Sequence, residues 1–249
     1  MPDSEIVGLV PAAGFASRLG KQSISKEILP VSNDDGGAIA CDSLMNAFDA
    51  CGCTASYWVI RETKTDIIDA IGNGARYKTP THFISTQPTE GTPFTLDRAF
   101  EHVRSSVVVT GFPDILFSAP DPFSAMLKAL QENHYDVVLG SFRTDRPEKM
   151  DVVDIDPNGR VTDIRIKQPA LTPQYAWILA TWTPVFSEFM HKYLQGEFSG
   201  ASEIYVGTVL QAALDIGMPI GSVRFDGETC TDIGTPDDLE KLRSGQSQV

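Results

Sequence analysis

The sequence predicts an α/β protein with a mixed, mostly parallel central sheet, helices on both faces of the sheet and a small antiparallel insertion. Short apolar runs alternate with segments of helical periodicity through the first part of the chain, which is typical of a parallel sheet with crossover helices. The first run, residues 6–10, has no polar side chain, as expected for a central strand buried on both faces. A hairpin signal in the second part predicts the antiparallel insertion.

Apolar runs in the first part of the chain predict the strands of the sheet. They are residues 6–10, 57–60, 82–85, 107–109 and 137–139. Helices are predicted between them because apolar side chains recur there at intervals of three and four residues. These stripes comprise Leu44, Ala47, Phe48 and Cys51, then Ile67, Ile68 and Ile71, then Leu96, Ala99, Phe100 and Val103.

The second part of the chain begins with the hairpin signal. Residues 152–155 and 161–164 flank the turn sequence Asp-Pro-Asn-Gly, which is typical of a tight connection between antiparallel strands. A further strand is predicted at residues 177–180. Two more apolar stripes predict helices, and a last helix is expected to begin near the proline of the closing segment; these lie at 186–193, at 206–213 and from Pro236.

The composition excludes several function classes. The formal net charge of -13 is opposite to the basic field that nucleic-acid binders present, so we expect no nucleic-acid partner. No apolar run is long enough to span a membrane, so we expect no membrane association. The four cysteines form no C-x-x-C pair and the four histidines match no zinc-ligand spacing, which predicts reduced thiols and a cytoplasmic protein.

The loop after the first predicted strand has the composition of a phosphate-binding loop. Ala12, Ala13 and Gly14 are small enough for the backbone to approach a phosphate and bind it through N–H groups. Arg18 supplies a fork of donors for phosphate oxygens, and Lys26 supplies a point charge suited to a triphosphate. The loop matches neither the Walker A pattern nor the G-x-G-x-x-G fingerprint. Taken alone, it is also compatible with an ordinary strand-to-helix turn that carries two exposed cations.

Two segments in this region resemble a known family. Residues 12–19, Ala-Ala-Gly-Phe-Ala-Ser-Arg-Leu, and residues 26–31, Lys-Glu-Ile-Leu-Pro-Val, closely resemble the signature of sugar-nucleotide pyrophosphorylases. These include glucose-1-phosphate thymidylyltransferases and uridylyltransferases, and their pattern is G-x-G-T-R-L followed by P-K-x-L-L-P-V. This sequence departs from the pattern at Ala16, Ser17 and Ser25, which are small-for-small or loop changes.

The resemblance extends over most of the chain, from residue 6 to about residue 239. It implies a Rossmann-like nucleotidyltransferase fold. We expect a single nucleotidyltransferase domain over residues 1–249, with a nucleotide-binding half at 1–145 and an acceptor-binding half at 146–249. The resemblance implies that the backbone of the phosphate loop, Arg18 and Lys26 contact the triphosphate.

A third segment implies the position of the nucleobase. Residues 87–92, Gln-Pro-Thr-Glu-Gly-Thr, follow the third predicted strand and are similar to the family's Q-P-x-x-x-G stretch. The resemblance implies that the Gln87 side chain and the Gly91 backbone contact the base. An amide carries both a donor and an acceptor, which suits the edge of a pyrimidine. Without the resemblance, the segment is a polar loop before a helix that starts at Thr92-Pro93.

Two acidic residues are implied as ligands of Mg²⁺. Residues 112–116, Phe-Pro-Asp-Ile-Leu, resemble the L-P-D-V-L segment of the uridylyltransferases, which carries the metal-binding role onto Asp114. Residues 231–239 resemble the family's D-x-G-T-P-E-D-L segment, which carries the second ligand onto Asp232. Magnesium typically takes one or two carboxylates together with substrate phosphates. Residues 235–238 form a capping-box pattern, and Asp232 lies outside it.

The acceptor side is implied by the segment after the hairpin. Lys167-Gln168-Pro169 resembles the family's E-K-P, which implies that Lys167 approaches the acceptor phosphate. The preceding residue is Ile166, where the relatives have a Glu that helps to hold sugar hydroxyls, so the acceptor is left open. Lys167 is equally compatible with a solvated hairpin end. Trp177 is suited to stacking on a ring, although a buried core Trp is the commoner case.

The expected function is transfer of a nucleoside monophosphate from a nucleoside triphosphate, with dTTP or UTP favoured, to a sugar 1-phosphate. The cofactor is Mg²⁺, and the products are a nucleoside diphosphate sugar and pyrophosphate. One alternative is a CTP-dependent cytidylyltransferase that acts on a non-sugar phosphate such as phosphocholine. Another is a non-catalytic sensor of nucleotide sugars. Association into a homo-oligomer is left open.

Overall fold

The computed structural model describes residues 4–15, 24–31, 37–72, 75–168, 174–196 and 204–243. These residues form strands and helices in alternation over the first part of the chain. The strands are β1 (Ile6–Ala12), β2 (Ala55–Arg61), β3 (Thr81–Thr86), β4 (Val107–Gly111), β5 (Ile115–Phe117), β6 (Val137–Thr144), β7 (Asp151–Ile155), β8 (Val161–Ile166), β9 (Gln174–Trp182), β10 (Ile220–Arg224) and β11 (Cys230–Asp232).

The helices connect these strands across both faces of the sheet. They are α1 (Asp42–Ala50), α2 (Thr65–Ile71), α3 (Thr92–Asp97), α4 (Phe100–Val103), α5 (Pro122–Glu132), α6 (Pro184–Leu194), α7 (Val206–Asp215) and α8 (Pro236–Arg243), with a 3₁₀ helix at Lys26–Ile28. Among the helices that the structure describes, none has both the length and the apolar character that crossing a membrane would require.

The central sheet has the strand order β10-β6-β9-β4-β1-β2-β3. Its neighbouring strands run parallel except at β9, which is antiparallel to both β4 and β6. The β7–β8 hairpin joins the sheet where β7 pairs antiparallel with β9. A second, two-stranded sheet pairs β5 with β11. The predicted mixed, mostly parallel sheet with a small antiparallel insertion is therefore confirmed.

The core lies on both faces of the central sheet. One cluster packs α1 and α5 against the sheet, and the other packs α3, α6 and α7 against the opposite face. Strand β1 contributes to both, because Val10 belongs to the first cluster and Leu9 to the second. Burial on both faces explains why the first strand is an unbroken apolar run and not an alternating one.

The chain order of the strands creates a switch point in the sheet. From β1 the chain moves outward to β2 and then β3, and it returns to place β4 on the other side of β1. Open α/β sheets bind ligands in the crevice beyond the carboxyl ends of strands at such a point. The crevice between β1 and β4 is therefore where a ligand is expected.

Several elements differ from the sequence prediction or were missed by it. The apolar stripe from Leu96 to Val103 forms two short helices, because the N–H groups of Arg98 and Ala99 donate to carbonyl oxygens three residues earlier and tighten the chain between them. The prediction contained no β5, α5, β10 or β11. Strands of three residues, such as β5 and β11, are too short to show a period.

Candidate active site

The loop after β1 opens at the switch point of the sheet. Strand β1 lies between β2 and β4 and runs parallel to both, so the loop leaves at the carboxyl ends of three strands. Ala12 and Ala13 are buried, whereas a Cβ built on Gly14 would meet no atom of the described residues within 4 Å. The described residues therefore leave room for a ligand beside the backbone of Gly14. Arg18, the predicted triphosphate contact, lies outside the described residues.

Lys26 is positioned by the short 3₁₀ helix that it begins. The residue before it is tied to α2, because the Ser25 N–H donates to Asp66 Oδ2 at 2.6 Å and the Ser25 hydroxyl donates to Asp66 Oδ1 at 2.8 Å. With its backbone held there, the Lys26 ammonium reaches across the crevice and forms an ion pair with the Asp114 carboxylate. The predicted triphosphate lysine and the first predicted metal ligand are thus in direct contact.

A buried ion pair lies directly behind Lys26. Lys64 Nζ donates to Glu27 Oε1 at 2.7 Å, and the side chains are 6% and 1% exposed. Burial raises the pKa of Glu27, although the charges of Lys64 and Lys26 oppose that shift. The other oxygen, Glu27 Oε2, is buried and has no hydrogen-bond partner among the described residues. Because one carboxylate faces two lysines, this pair anchors the segment that presents Lys26.

The second sheet brings Asp114 and Asp232 together. Asp114 precedes β5 and Asp232 ends β11, where it pairs in register with Ile115. The Ile233 N–H also donates to the Asp114 carbonyl oxygen at 3.0 Å. A Cβ at Gly234 would lie 2.8 Å from Asp232 Oδ2, so a side chain at position 234 would displace this carboxylate. Two acids far apart in sequence therefore become neighbours through three-residue strands.

The helix that follows Asp232 is capped by its own residues. The Asp238 N–H donates to Thr235 Oγ1 at 3.3 Å, and the Thr235 hydroxyl donates to Asp238 Oδ2 at 2.6 Å. This reciprocal pair confirms the capping pattern expected at the start of α8. Asp238 also forms an ion pair with Arg146 at 3.5 Å. Asp232 takes no part in this cap, so the cap and the candidate metal site use different acids.

The charges in this crevice suit a hard cation and phosphates. Burial acts to lower the pKa of Lys26, but the negative charges of Asp114, Glu27 and Asp232 outweigh it and raise that pKa. Among the described residues, no group of three His, Cys, Asp or Glu side chains could hold a metal alone. A pair of carboxylates is the donor set of a magnesium ion that completes its shell with waters and substrate phosphates. Asp114 and Asp232 therefore fit Mg²⁺.

The predicted base-contacting residues lie at the end of β3. Gln87 Nε2 donates to Glu62 Oε2 at 2.6 Å, which leaves the amide oxygen of Gln87 available as an acceptor. Gly91 has a φ of +152°, and a Cβ there would lie 2.4 Å from the carbonyl oxygen of Ile204. Only glycine fits this close approach. It joins the base-side loop to the segment that leads into α7.

Lys167 ends the β7–β8 hairpin in a strained conformation. Its φ is +46°, in the left-handed region that a lysine rarely occupies. The side chain lies over the ring of Tyr205, with Nζ 3.7 Å from the ring centroid. Such a contact holds the ammonium near one position. Strained backbone conformations are concentrated at functional sites, which agrees with a binding role for Lys167.

Known structures resemble this architecture. A structure from Bacillus anthracis, described as a glucose-1-phosphate thymidylyltransferase in complex with a sucrose, superposes with a TM-score of 0.83 at 16% identity, over 98% of this chain and 96% of that one. The inositol-1-phosphate CTP transferase from T. maritima superposes with a TM-score of 0.74 at 22% identity, over 98% of both chains. The chain has the nucleotidyltransferase fold. No protein-family model and no curated protein matches the sequence.

Within this nucleotidyltransferase fold, the predicted site residues fall into three places. Lys26, Asp114 and Asp232 form one charged group at the switch point. Gln87 and Gly91 lie at the carboxyl end of β3, two strands from β1. Lys167 contacts Tyr205, and the contacts of the described residues do not join it to the charged group. The residues predicted for the triphosphate and the residue predicted for the acceptor phosphate therefore lie in separate places.

Sequence reasoning missed a cation beside the phosphate loop. Arg61 ends β2, and its guanidinium carbon lies 4.2 Å from the centroid of the Phe15 ring in the loop after β1. Its Nε donates to Thr63 Oγ1 at 3.0 Å, whereas its Nη1 is buried and has no hydrogen-bond partner among the residues that the structure describes. A donor in this state can bind a phosphate oxygen. The sequence feature that could have indicated this cation is an arginine directly after the apolar run at residues 57–60.

Proposed function

We propose that this protein is a nucleotidyltransferase that transfers a nucleoside monophosphate from a nucleoside triphosphate to a phosphorylated small molecule, with release of pyrophosphate. The observation that carries the proposal is the convergence of Lys26, Asp114 and Asp232 at the switch point of a nucleotidyltransferase fold. A sensor would need no such arrangement, because only the reaction requires two carboxylates and a lysine around one phosphate chain. Binding of a nucleotide without reaction requires fewer charged side chains.

The favoured substrates are dTTP or UTP and a sugar 1-phosphate. The support for the sugar is the resemblance of the opening motifs to sugar-nucleotide pyrophosphorylases and the likeness to the Bacillus anthracis structure. The support for the base is Gln87, because its free amide oxygen can accept from the N3–H of thymine or uracil. The 4-amino group of cytosine is also a donor, so cytosine fits the same oxygen.

The reaction is a single in-line displacement at the α-phosphorus. An oxygen of the acceptor phosphate forms the new bond to phosphorus, and the bond from that phosphorus to the bridging oxygen of the β-phosphate breaks. The electron pair of the broken bond leaves with pyrophosphate. No general base is required, since the attacking phosphate oxygen already carries negative charge near neutral pH. Catalysis consists mainly of positioning and charge stabilisation.

Each residue of the crevice positions a different group of the substrates. Lys26, together with Arg18 of the same loop region, binds the β- and γ-phosphates, where charge develops on the leaving group. Lys167 orients the acceptor phosphate so that its oxygen lies in line. Asp114 and Asp232 hold Mg²⁺, which supplies neutralisation of the phosphate charge when it is bound. The ion pair of Lys26 with Asp114 holds both groups in place before substrate enters.

Replacing Gln87 by Ala is expected to raise the KM for the triphosphate by roughly tenfold and to change kcat much less, because the lost hydrogen bond lies far from the reacting phosphorus. Steady-state kinetics with dTTP, UTP and CTP would measure it. The matched control is Gln131→Ala, which changes an exposed glutamine on α5. Equal KM values for the two variants would remove Gln87 from the base site.

The proposed function is tested by a grid of four nucleoside triphosphates against several acceptors, with Mg²⁺ present and pyrophosphate release as the signal. The acceptors are glucose 1-phosphate and other sugar 1-phosphates, inositol 1-phosphate and phosphocholine. We expect release in a cell that combines a pyrimidine nucleotide with a sugar 1-phosphate. Triphosphate binding by calorimetry without release in any cell would favour the sensor. Neither binding nor release would overturn the proposal.

A second candidate is cytidylyl transfer from CTP to a phosphate that is not a sugar phosphate. Two observations favour keeping it: Ile166 stands where relatives have the hydroxyl-binding Glu, and an inositol-1-phosphate CTP transferase shares the fold at 22% identity. The same grid separates the two candidates. Release only with CTP, and only with inositol 1-phosphate or phosphocholine, would replace the favoured substrates while retaining the reaction class.

A further inference from the structure

The position opposite Ile166 carries a carboxylate. In the β7–β8 pair, Asp151 is the direct cross-strand partner of Ile166. Side chains of directly paired residues stand on the same face of a sheet, about 5 Å apart. Both also approach the first turn of α7, because a Cβ built on Gly207 would lie 2.5 Å from Asp151 Oδ2 and 3.2 Å from Ile166 Cγ1. The Asp151 carboxylate therefore lies beside Ile166, the position at which the E-K-P motif of the relatives has a Glu.

Within the part of the chain that the structure describes, only one oxygen of this carboxylate accepts a hydrogen bond. The backbone N–H of Gly207, in the first turn of α7, donates to the Asp151 carboxylate. Oxygen Oδ1 is buried, and no described residue donates a hydrogen bond to it. A buried acceptor without a donor is costly, so its retention calls for an external donor. The residue as a whole is only partly buried and so lies at the edge of the core.

A donor without a partner lies on the adjacent strand. Strands β7 and β9 pair at Val152 with Ala176 and at Val153 with Tyr175. Continuing this antiparallel register by one residue places Asp151 next to Trp177, on the same face. The Trp177 Nε1 atom is also buried, and it has no hydrogen-bond partner in the described ranges of the chain. One acceptor and one donor, both unsatisfied, are thus neighbours on one face of the sheet.

This pair lies on the acceptor side of the crevice. The charge of Lys167 acts on Asp151, and the Lys167 ammonium in turn rests on the Tyr205 ring. Ile204, the residue before Tyr205, makes the close approach to Gly91 of the base-side loop. The Trp177 ring lies 5.7 Å, between centroids, from the ring of Phe112, two residues before Asp114. Asp151 therefore lies near Lys167, and its neighbours Trp177 and the segment before α7 contact Phe112 and the Gly91 loop.

We propose that Asp151 is the residue that selects the acceptor, and that it binds a hydroxyl of a phosphorylated sugar or polyol whose phosphate is held by Lys167. The inference rests on the proposed nucleotidyl transfer and names the substrate class of that site. A hydroxyl donates to Asp151 Oδ1, and the same or a neighbouring hydroxyl oxygen accepts from Trp177 Nε1. The carboxylate that relatives carry at the end of β8 is thereby supplied from β7.

The chemistry of the two unsatisfied atoms decides between acceptors. Phosphocholine has no hydroxyl, so it can neither donate to Asp151 nor accept from Trp177 through its head group. A sugar 1-phosphate or an inositol phosphate offers several hydroxyls, each both donor and acceptor. A site built to bind a hydroxyl rejects ligands that lack it, because its polar groups would stay unpaired. Polyol phosphates are therefore the class that this site takes.

If Asp151 had a structural role, Asp151→Asn would lower the stability of the fold, whereas the burial of its charge predicts unchanged or higher stability. Burial raises the pKa of Asp151 to about 6, with the Lys167 charge and the Gly207 N–H opposing the shift. The neutral carboxyl is thus the form that favours folding, and its contribution is complete below the ordinary pKa near 4 and is lost as the pH rises through 6. At pH 8 the ionised group weakens the fold. Asp151→Asn keeps the shape and the acceptor for Gly207, and removes that charge.

The test is Asp151→Asn, with steady-state kinetics at pH 8 and thermal unfolding of the same samples. We expect the KM for the sugar or inositol phosphate to rise roughly 10- to 100-fold, which corresponds to loss of a hydrogen bond to a charged group. The KM for the triphosphate is expected to stay within about twofold, and the Tm to stay level or rise. The matched control is Asp163→Asn, which alters a carboxylate on the opposite face of β8.

The outcomes separate this inference from the proposed function. If the wild-type protein accepts a sugar or inositol phosphate and the acceptor KM of Asp151→Asn equals that of the control, the role of Asp151 is overturned while nucleotidyl transfer stands. Turnover with phosphocholine alone would also overturn the substrate class and leave the reaction intact. A lowered Tm with unchanged acceptor KM would assign Asp151 to structure. No turnover with any acceptor would remove the proposed function and this inference together.

Discussion

Replacing Asp232 by Asn is expected to reduce kcat by roughly 100- to 1,000-fold, because the substituted side chain keeps its shape but loses the charge with which Asp232 would hold Mg²⁺ in the proposed site. The fold should persist, since β11 is joined to β5 by backbone hydrogen bonds that the substitution leaves in place. The measurement is pyrophosphate release as a function of Mg²⁺ concentration. We expect half-maximal activity of the variant to require more Mg²⁺ than that of the wild type.

The control for this substitution lies five residues further along the chain. Asp237 is an exposed acid in the first turn of α8, and Asp237→Asn makes the same chemical change without touching the crevice. It should retain nearly all activity. Asp114→Asn should behave as Asp232→Asn does and also release Lys26 from its ion pair. Wild-type turnover and Mg²⁺ dependence in the Asp232 variant would falsify the metal assignment.

Replacing Lys64 by Met is expected to lower the free energy of unfolding by about 3 to 5 kcal/mol, because it leaves the Glu27 carboxylate buried without its closest partner. Both side chains are almost fully buried, so solvent screens this pair little. Chemical denaturation monitored by fluorescence or circular dichroism would measure the change. The KM for the triphosphate should also rise, since Glu27 adjoins Lys26 in the 3₁₀ helix.

A double variant and an exposed pair make this prediction specific. Glu27→Leu combined with Lys64→Met removes both charges and should recover most of the lost stability, as is common when a buried ion pair is replaced by apolar side chains. Lys128→Met breaks the exposed pair with Glu132 on α5, and it should change stability by less than about 1 kcal/mol. Equal effects of Lys64→Met and Lys128→Met would show that the buried pair anchors nothing.

The motifs could be read from sequence because each is local. The resemblance of short segments to sugar-nucleotide pyrophosphorylases predicts roles for the small residues after β1, for Lys26, and for Asp114 and Asp232. The alternation of apolar runs and helical stripes likewise predicted the mixed sheet, which the structure confirms. The stripe from Leu96 to Val103 was less informative, because periodicity does not report a break between α3 and α4.

The partners of these motifs could not be read in the same way. Lys64 is an ordinary lysine at the start of a helix until the fold buries it against Glu27. Arg61 follows a strand without any pattern that marks it, and its position beside Phe15 depends on how two loops meet. Asp151 immediately precedes the predicted hairpin strand at residues 152–155, and its relation to Ile166 requires the register of β7 with β8. A short stretch of sequence contains no information on such contacts between distant residues.

The sequence by itself determined the class of fold, because apolar periodicity is a property of short segments. Its resemblance to sugar-nucleotide pyrophosphorylases predicted the phosphate loop and the two acids. Only the tertiary structure decided that β5 and β11 bring Asp114 and Asp232 together, that Lys26 is supported by a buried ion pair, and that Asp151 of β7 pairs with Ile166 of β8. The physical reason is that strand register and the burial of charges arise from contacts between residues distant in the chain, where each group's solvation and partners depend on the whole fold.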